Sequence, residues 1–211
     1  MATYFVETLN AKGEKSPENS GSTSLSTTGK ILIGVTGGIA LGLSVVCASF
    51  VSPAFRRVCL PYIPATEQQV LNVFNALKTK HRHGLLIDLG SGDGRIVFEA
   101  AKHNFQPHGV ELNTWLVAYS KLSAFLNRAA NPTVAFYQKD LWKFPLGAYD
   151  NVVIFGVEQM MHELEAKLHR ECKPGCHIVA CRFPLPGMKP EITVGSGVDT
   201  VWLYKIPNKI S

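Results

Sequence analysis

From residue 84 onward this 211-residue chain alternates short apolar runs with amphipathic ones. That alternation predicts an α/β fold on a seven-stranded, doubly wound sheet. Two further observations frame it. Residues 31–51, ILIGVTGGIALGLSVVCASFV, hold no charged group over 21 positions, and residues 90–94 place three glycines in five. The chain therefore divides into a disordered N-terminus (1–30), a transmembrane helix (31–51), a connecting segment (52–83) and the sheet domain (84–211).

Residues 1–29 are rich in Ser, Thr, Gly and Asn, too polar to bury a core. They hold three acids and no arginine, unlike a usual transit peptide. The apolar run has the length to cross a hydrocarbon core as a helix. Gly34, Gly38 and Gly42 recur along one of its faces, a spacing that permits close helix packing. Arg56 and Arg57 follow the run while Lys30 alone precedes it, which places the C-terminal domain on the cytoplasmic or matrix side. The net charge of +5 suits a membrane surface, an acidic partner or nucleic acid, and selects none of them. The five cysteines form no CxxC pair, so free thiols are expected, with no zinc site.

After the apolar run, Thr66 and Gln69 have the spacing of a capping box, and Val70, Val73, Phe74 and Leu77 repeat at helical period. The polar stretch KTKHRHG follows, with Lys78, Lys80 and Arg82 in it. Strands are expected at 85–90, 107–112, 133–138, 149–156, 177–183, 191–195 and 199–205. Helices are expected at 95–102, 113–129 and 158–172, the last closed by Pro174 and Gly175. In the middle one Asn113 is a plausible cap, and Trp115, Ala118, Tyr119, Leu122, Phe125, Leu126 and Ala129 share a face. Strand–helix alternation predicts a parallel sheet covered on both sides.

The glycines follow the first expected strand. In such sheets ligands bind beyond the carboxyl ends of the strands, and the next helix N-terminus favours an anionic group. A dinucleotide turn reads G-x-G-x-x-G. Here the run is Gly90-Ser91-Gly92-Asp93-Gly94-Arg95: the third glycine comes one place early and Arg95 fills its position. Asp93 would also repel a pyrophosphate. The methionyl end of S-adenosylmethionine carries an ammonium and a sulfonium and no phosphate, so acids at the turn suit it. Bare backbone lets that end lie against the chain, with Asp88 or Asp93 facing the ammonium. Glu111, after the second strand, is placed to accept both ribose hydroxyls. Asp140, after the third, is placed to accept from the adenine amine with Leu141 against the ring. Three acids after three successive strands, behind a glycine turn, point to a methyltransferase site.

The stretches DLGSGDGR, GVELN and DLW resemble class I, seven-strand S-adenosylmethionine-dependent methyltransferases. More narrowly, VCLPYIPAT, LIDLGSGDGRIVFEAAK, GVELNTWLVAYS, DLWK, NVVIFGVEQMM, ACRFP and GVDTVW resemble the membrane-anchored mitochondrial lysine methyltransferases. The resemblance covers about residue 51 to the C-terminus plus the anchor helix. It implies methylation, to trimethyllysine, of a lysine on the ATP synthase c-subunit, by a single-pass protein of the mitochondrial inner membrane facing the matrix. Sister enzymes act on the adenine nucleotide translocase, and a membrane-anchored small-molecule methyltransferase would share the cofactor site. The family pattern assigns the glycine turn, Glu111 and Asp140 to the cofactor, and PYIPAT, with Tyr62, Pro64 and Thr66, to the substrate side. FGVE stands after the fourth strand where adenine or glutamine-amide methylases carry N-P-P-Y, which disfavours adenine or glutamine-amide methylation; no nucleic-acid partner is expected. Protein substrate and membrane are the expected partners, with no metal.

A lysine must lose its proton to attack. With a reference pKa of about 10.4, the neutral form near pH 8 costs roughly 3 kcal/mol. Desolvation beside a cation offsets part of that cost. Tyr62 and Glu158 are the candidate bases, and Tyr62, Trp142, Phe155 and Phe183 the aromatic rings that could face a methylated ammonium.

Overall fold

A computed structural model describes residues 26–51, 63–78, 83–127 and 133–208. Arg56, Arg57, Tyr62, Lys80, Arg82 and Ala129 lie outside them. The described residues fall into two compact units divided after Gly42.

The first unit is most of α1 (Thr27–Val51). Its helix begins four residues before the uncharged run, because Ser26 caps it: the Gly29 amide donates to Ser26 Oγ at 3.2 Å. Thr36 Oγ1 donates to the Leu32 carbonyl at 2.8 Å, so the hydroxyl is satisfied within the helix itself. The stretch Thr27–Ala48 is long and apolar enough to cross a membrane. A Cβ on Gly34, Gly38 or Gly42 would meet nothing within 4 Å.

In the second unit the chain runs α2 (Glu67–Lys78), β1 (Gly84–Leu89), α3 (Arg95–Lys102), β2 (Phe105–Glu111), α4 (Thr114–Leu126), β3 (Ala135–Gln138), β4 (Asn151–Phe155), a one-turn 3-10 helix (Glu158–Met160), α5 (Met161–Glu171), β5 (His177–Cys181), β6 (Ile192–Val194) and β7 (Val201–Lys205). All seven expected strands form. They make one sheet in the order β3-β2-β1-β4-β5-β7-β6. The first five are parallel. The parallel pairing expected from the alternation holds through β5, while β7 runs antiparallel to both β5 and β6. The reason is chain length: only residues 195–200 join β6 to β7, and a parallel neighbour needs a crossover of about a dozen residues or more.

Each sheet face has its own core. On one face α2 and α3 place Val73, Phe74, Leu77, Ile96 and Ala100 against Leu86, Val153, Val179 and Leu203. On the other α5 places Leu164 and Leu168 against Ile87, Val152, Ile154 and Ile178. β1, β4 and β5 are thus apolar on both sides, as strands between two helical layers must be.

α4 departs from the sequence pattern. Asn113 caps it as expected, with Oδ1 accepting from the Trp115 and Leu116 amides. The apolar stripe, however, faces outward: Trp115, Tyr119, Leu122, Phe125 and Leu126 are all exposed. Val117 and Ser120, on the opposite side, are the buried residues of the helix. Periodicity finds an apolar face but does not say which of two apolar faces meets the sheet, and α4 packs over the four-residue edge strand β3, which accommodates the smaller side chains.

The expected capping box forms in full at α2. The Gln69 amide donates to Thr66 Oγ1 at 3.0 Å, and the Thr66 amide donates to Gln69 Oε1 at 2.9 Å. Thr66 Oγ1 also donates to Asp199 Oδ1 at 2.7 Å. Thr66→Val should therefore lower stability by about 1–2 kcal/mol, read as a fall in melting temperature of the detergent-solubilised chain. An unchanged melting temperature would show that the cap contributes nothing.

Candidate functional site

The carboxyl ends of five parallel strands line one edge of the sheet. The chain turns there at Gly90–Gly94 after β1, at Glu111 after β2, at Asp140 after β3, at Glu158 after β4 and at Arg182 after β5. Strand order reverses between β1 and β4, where open α/β sheets place their ligand.

The glycines answer a backbone demand. Gly90, Gly92 and Gly94 have φ of 79°, 54° and 85°, left-handed conformations that other residues adopt only with strain. At Gly94 a Cβ would also lie 2.6 Å from the Phe136 ring. The turn is tied to β2. The Gly90 and Ser91 amides both donate to the Val110 carbonyl, at 2.8 and 3.0 Å. The Gly92 amide donates to Glu111 Oε2 at 3.1 Å. Ser120, buried on α4, donates to the Gly92 carbonyl at 3.2 Å.

Glu111 holds three turns together. Besides Gly92, its Oε1 accepts from the Leu112 and Asn113 amides at 2.9 and 2.8 Å. Its main-chain carbonyl accepts from the Lys139 amide, which carries β3 onward to Asp140. Asp140 Oδ1 accepts from the Trp142 amide at 3.0 Å, fixing the turn that brings Leu141 and Trp142 against the core. The structure thus brings Gly90, Ser91, Gly92, Glu111, Asp140 and Leu141 to adjacent strand ends.

The two acids of the glycine turn differ. Asp88 is 2% exposed, and its Oδ1 has no hydrogen-bond partner in the structure. Burial, with Glu111 and then Asp93 nearby, pushes its carboxyl up to about 8. Ser91 Oγ, three residues further on, is likewise buried and unpartnered. Asp93 instead faces Arg95: the guanidinium Nε lies 3.1 Å from Oδ1 and Nη2 lies 2.6 Å from Oδ2. Of the two acids expected to meet a cation, Asp88 has the unfilled oxygen.

Arg95 is the residue that sequence reasoning undervalued. Its Nη1 donates to the Ala65 carbonyl, tying the segment before α2 to the glycine turn. The same segment is held on its other side by the loop between β6 and β7. Gln69 Nε2 donates to the Val198 carbonyl, and Asn72 Nδ2 to the Asp199 carbonyl at 2.8 Å. Two amides on the apolar face of an amphipathic helix were the available signal. Pro64 is exposed here, and the Thr66 hydroxyl is committed to its cap and to Asp199. Tyr62 lies outside the described residues. Glu158 is exposed in the first turn after β4. Trp142, Phe155 and Phe183 are half-buried and pack against the cores. Among the described residues no three His, Cys, Asp or Glu side chains are grouped to share a metal ion.

Comparison with known proteins decides the family. Residues 24–56 match the family model of the N-terminal domain of ATP synthase c-subunit lysine N-methyltransferases, and residues 88–192 match the ANTKMT methyltransferase domain. The ATP synthase c-subunit lysine N-methyltransferase of Mus musculus is 50% identical over 176 residues, 83% of this chain and 70% of that protein. This chain belongs to that lysine methyltransferase family. The adenine nucleotide translocase lysine N-methyltransferase of Mus musculus is 39% identical over 180 residues, 83% of this chain and 77% of that protein. Among solved structures, an RNA methyltransferase from Salinibacter ruber in complex with S-adenosyl-L-homocysteine superposes with a TM-score of 0.64 and 27% identity, covering 71% of this chain and 97% of its own.

Asp88 gives a pH dependence with a definite sign. Its carboxyl sits at about 8 in the folded chain and near its ordinary value of 3.8 when unfolded. Between those limits the folded state binds the extra proton, so stability is lost as pH rises through that window, by up to about 1.4 kcal/mol per pH unit. The melting temperature of the cofactor-free protein should fall from pH 6 to pH 8, and Asp88→Asn should flatten that slope. An unaltered slope in the variant would exclude Asp88 as its source.

Proposed function

We propose that this chain is an S-adenosylmethionine-dependent lysine N-methyltransferase acting on the c-subunit of the ATP synthase, carried by α1 in the mitochondrial inner membrane with its sheet domain on the matrix side. The observation that carries the substrate is the gradient of likeness: 50% identity to the c-subunit enzyme against 39% to the translocase enzyme, with an N-terminal domain model of the former matched across α1. The use of S-adenosylmethionine by a lysine methyltransferase, expected from the sequence, stands on the same family membership and on the S-adenosylhomocysteine-bound neighbour.

The residues present fit that cofactor. A buried carboxylate oxygen without a partner is costly unless a donor or cation meets it, and the ammonium of S-adenosylmethionine supplies one to Asp88. Glu111 offers its remaining lone pair to the ribose diol, Asp140 accepts from the adenine amine, and Leu141 lies against the ring. When bound, the cofactor supplies an electrophilic methyl group on a sulfonium. The protein's own part is positioning. The Val110 and Glu111 hydrogen bonds hold the glycine turn in its left-handed form before any ligand arrives. The Asp93–Arg95 pair, through the Ala65 carbonyl, keeps the substrate-side segment registered to that turn. Glu158 stands at the same edge as the only described candidate to take the proton of the incoming ammonium.

Two experiments test this reading. Intact-mass analysis of c-subunit from cells with and without the protein should show loss of the mass of three methyl groups when it is absent; an unchanged mass refutes the substrate. Glu111→Gln can keep an oxygen toward the Leu112 and Asn113 amides but then sets an amide donor against the Gly92 amide, so S-adenosylmethionine affinity in calorimetry should fall at least tenfold, equivalent to about 1.4 kcal/mol. Unchanged affinity would leave Glu111 a structural tie only.

A further inference from the structure

The outward face of α4 has no role in the site described above. By the 3.6-residue helical repeat, Trp115, Ala118, Tyr119, Leu122, Phe125 and Leu126 fill an arc of about 120°, opposite Val117 and Ser120. The five large side chains are between 42% and 71% exposed. The helix TWLVAYSKLSAFL has no acidic residue, and its single charge, Lys121, stands beside the arc. A helix apolar nearly all round is buried or meets lipid, and this one is buried on one side only.

We propose that this face of α4 is a lipid-contacting surface that seats the sheet domain on the membrane holding α1. The inference rests on the membrane anchoring proposed above. Three features favour lipid over a protein partner. First, residues 52–66 are the whole connection between α1 and the first turn of α2, and 15 residues reach at most about 50 Å, so a membrane holding α1 keeps the start of the sheet domain within that distance. Second, the charge on α4 suits an anionic leaflet: Lys121 stands beside the arc and the helix carries no acid. Third, Trp115 and Tyr119 begin the arc, side chains with an apolar body and a polar tip suited to headgroup level. The N-terminal end of α4 is fixed to the active edge by Glu111 Oε1, through the Asn113 amide, and by Gln138 Nε2, which donates to Thr114 Oγ1. Seating α4 therefore sets that edge beside the bilayer surface, where a lysine of a membrane-embedded substrate is presented.

The full chain is reconstituted into vesicles of equimolar phosphatidylcholine and phosphatidylglycerol, with lipid brominated either high or low on the acyl chain. Tryptophan emission is recorded, and retention after alkaline carbonate is measured on the same vesicles. The shallow-brominated lipid should quench an emission component that Trp115→Phe removes. The pair Leu122→Glu and Phe125→Glu, on exposed positions, should abolish that quenching. It should also lower methylation of membrane-embedded substrate about tenfold while leaving S-adenosylmethionine affinity unchanged. A carbonate-resistant chain whose Trp115 is unquenched overturns the proposal and leaves the anchor standing. An unquenched Trp115 with crosslinking between Lys121 residues of two copies overturns it in favour of a dimer face. Quenching that persists in a chain released by carbonate supports the α4 surface and removes the anchor.

Discussion

Everything at the carboxyl edge of the sheet depends on the attachment of the glycine turn to the end of β2. A chain leaving β1 in three left-handed steps has given up the regular hydrogen bonds of strand and helix. The Val110 carbonyl and the Glu111 carboxylate replace them, taking three of the turn's amides between them. Because Glu111 also accepts from Leu112 and Asn113, one side chain fixes the turn after β1, the turn after β2 and the entry to α4. The side chain proposed to meet the ribose is thus the one that shapes its surroundings.

The energetic cost of this arrangement is concentrated at Asp88. Its burial between β1's neighbours, close to two other acids, holds it protonated up to about pH 8 without ligand. A fold optimised for stability alone would have an apolar residue there. The unpartnered oxygen is what the proposed cofactor's ammonium would meet, and until then it costs stability. Asp93 is instead paired with Arg95, whose charge it balances. The same guanidinium reaches Ala65 and so couples the turn to a segment outside the sheet.

Much of the fold was legible in the sequence because local periodicity and tertiary packing agreed. β1, β4 and β5 are flanked by helices on both faces and read as continuous apolar runs; Arg95–Lys102 forms the expected eight-residue helix; the Thr66–Gln69 box closes as spaced. The acids at 88, 111 and 140 were legible as a set, since a parallel sheet brings its strand ends to one edge. Three things were not. The direction of β7 depends on how short a connection can be. The outward turn of the α4 stripe depends on which of two apolar faces the edge strand accommodates. The division of labour between Asp88 and Asp93 depends on Arg95, whose side chain reaches from α3 to both Asp93 and Ala65.

The sequence by itself determined the order of strands and helices, the glycine turn, the apolar anchor candidate and the acids along the edge, because each follows from residue type at fixed local spacing. Only the tertiary structure decided which acid keeps a free oxygen, which polar groups of α2 tie down the β6–β7 loop, and which apolar stripe is left exposed. Those outcomes turn on contacts between residues far apart in the chain: Arg95 with Ala65, Thr66 with Asp199, Gly92 with Ser120. No local pattern encodes them, since each exists only once the sheet has brought its partners together.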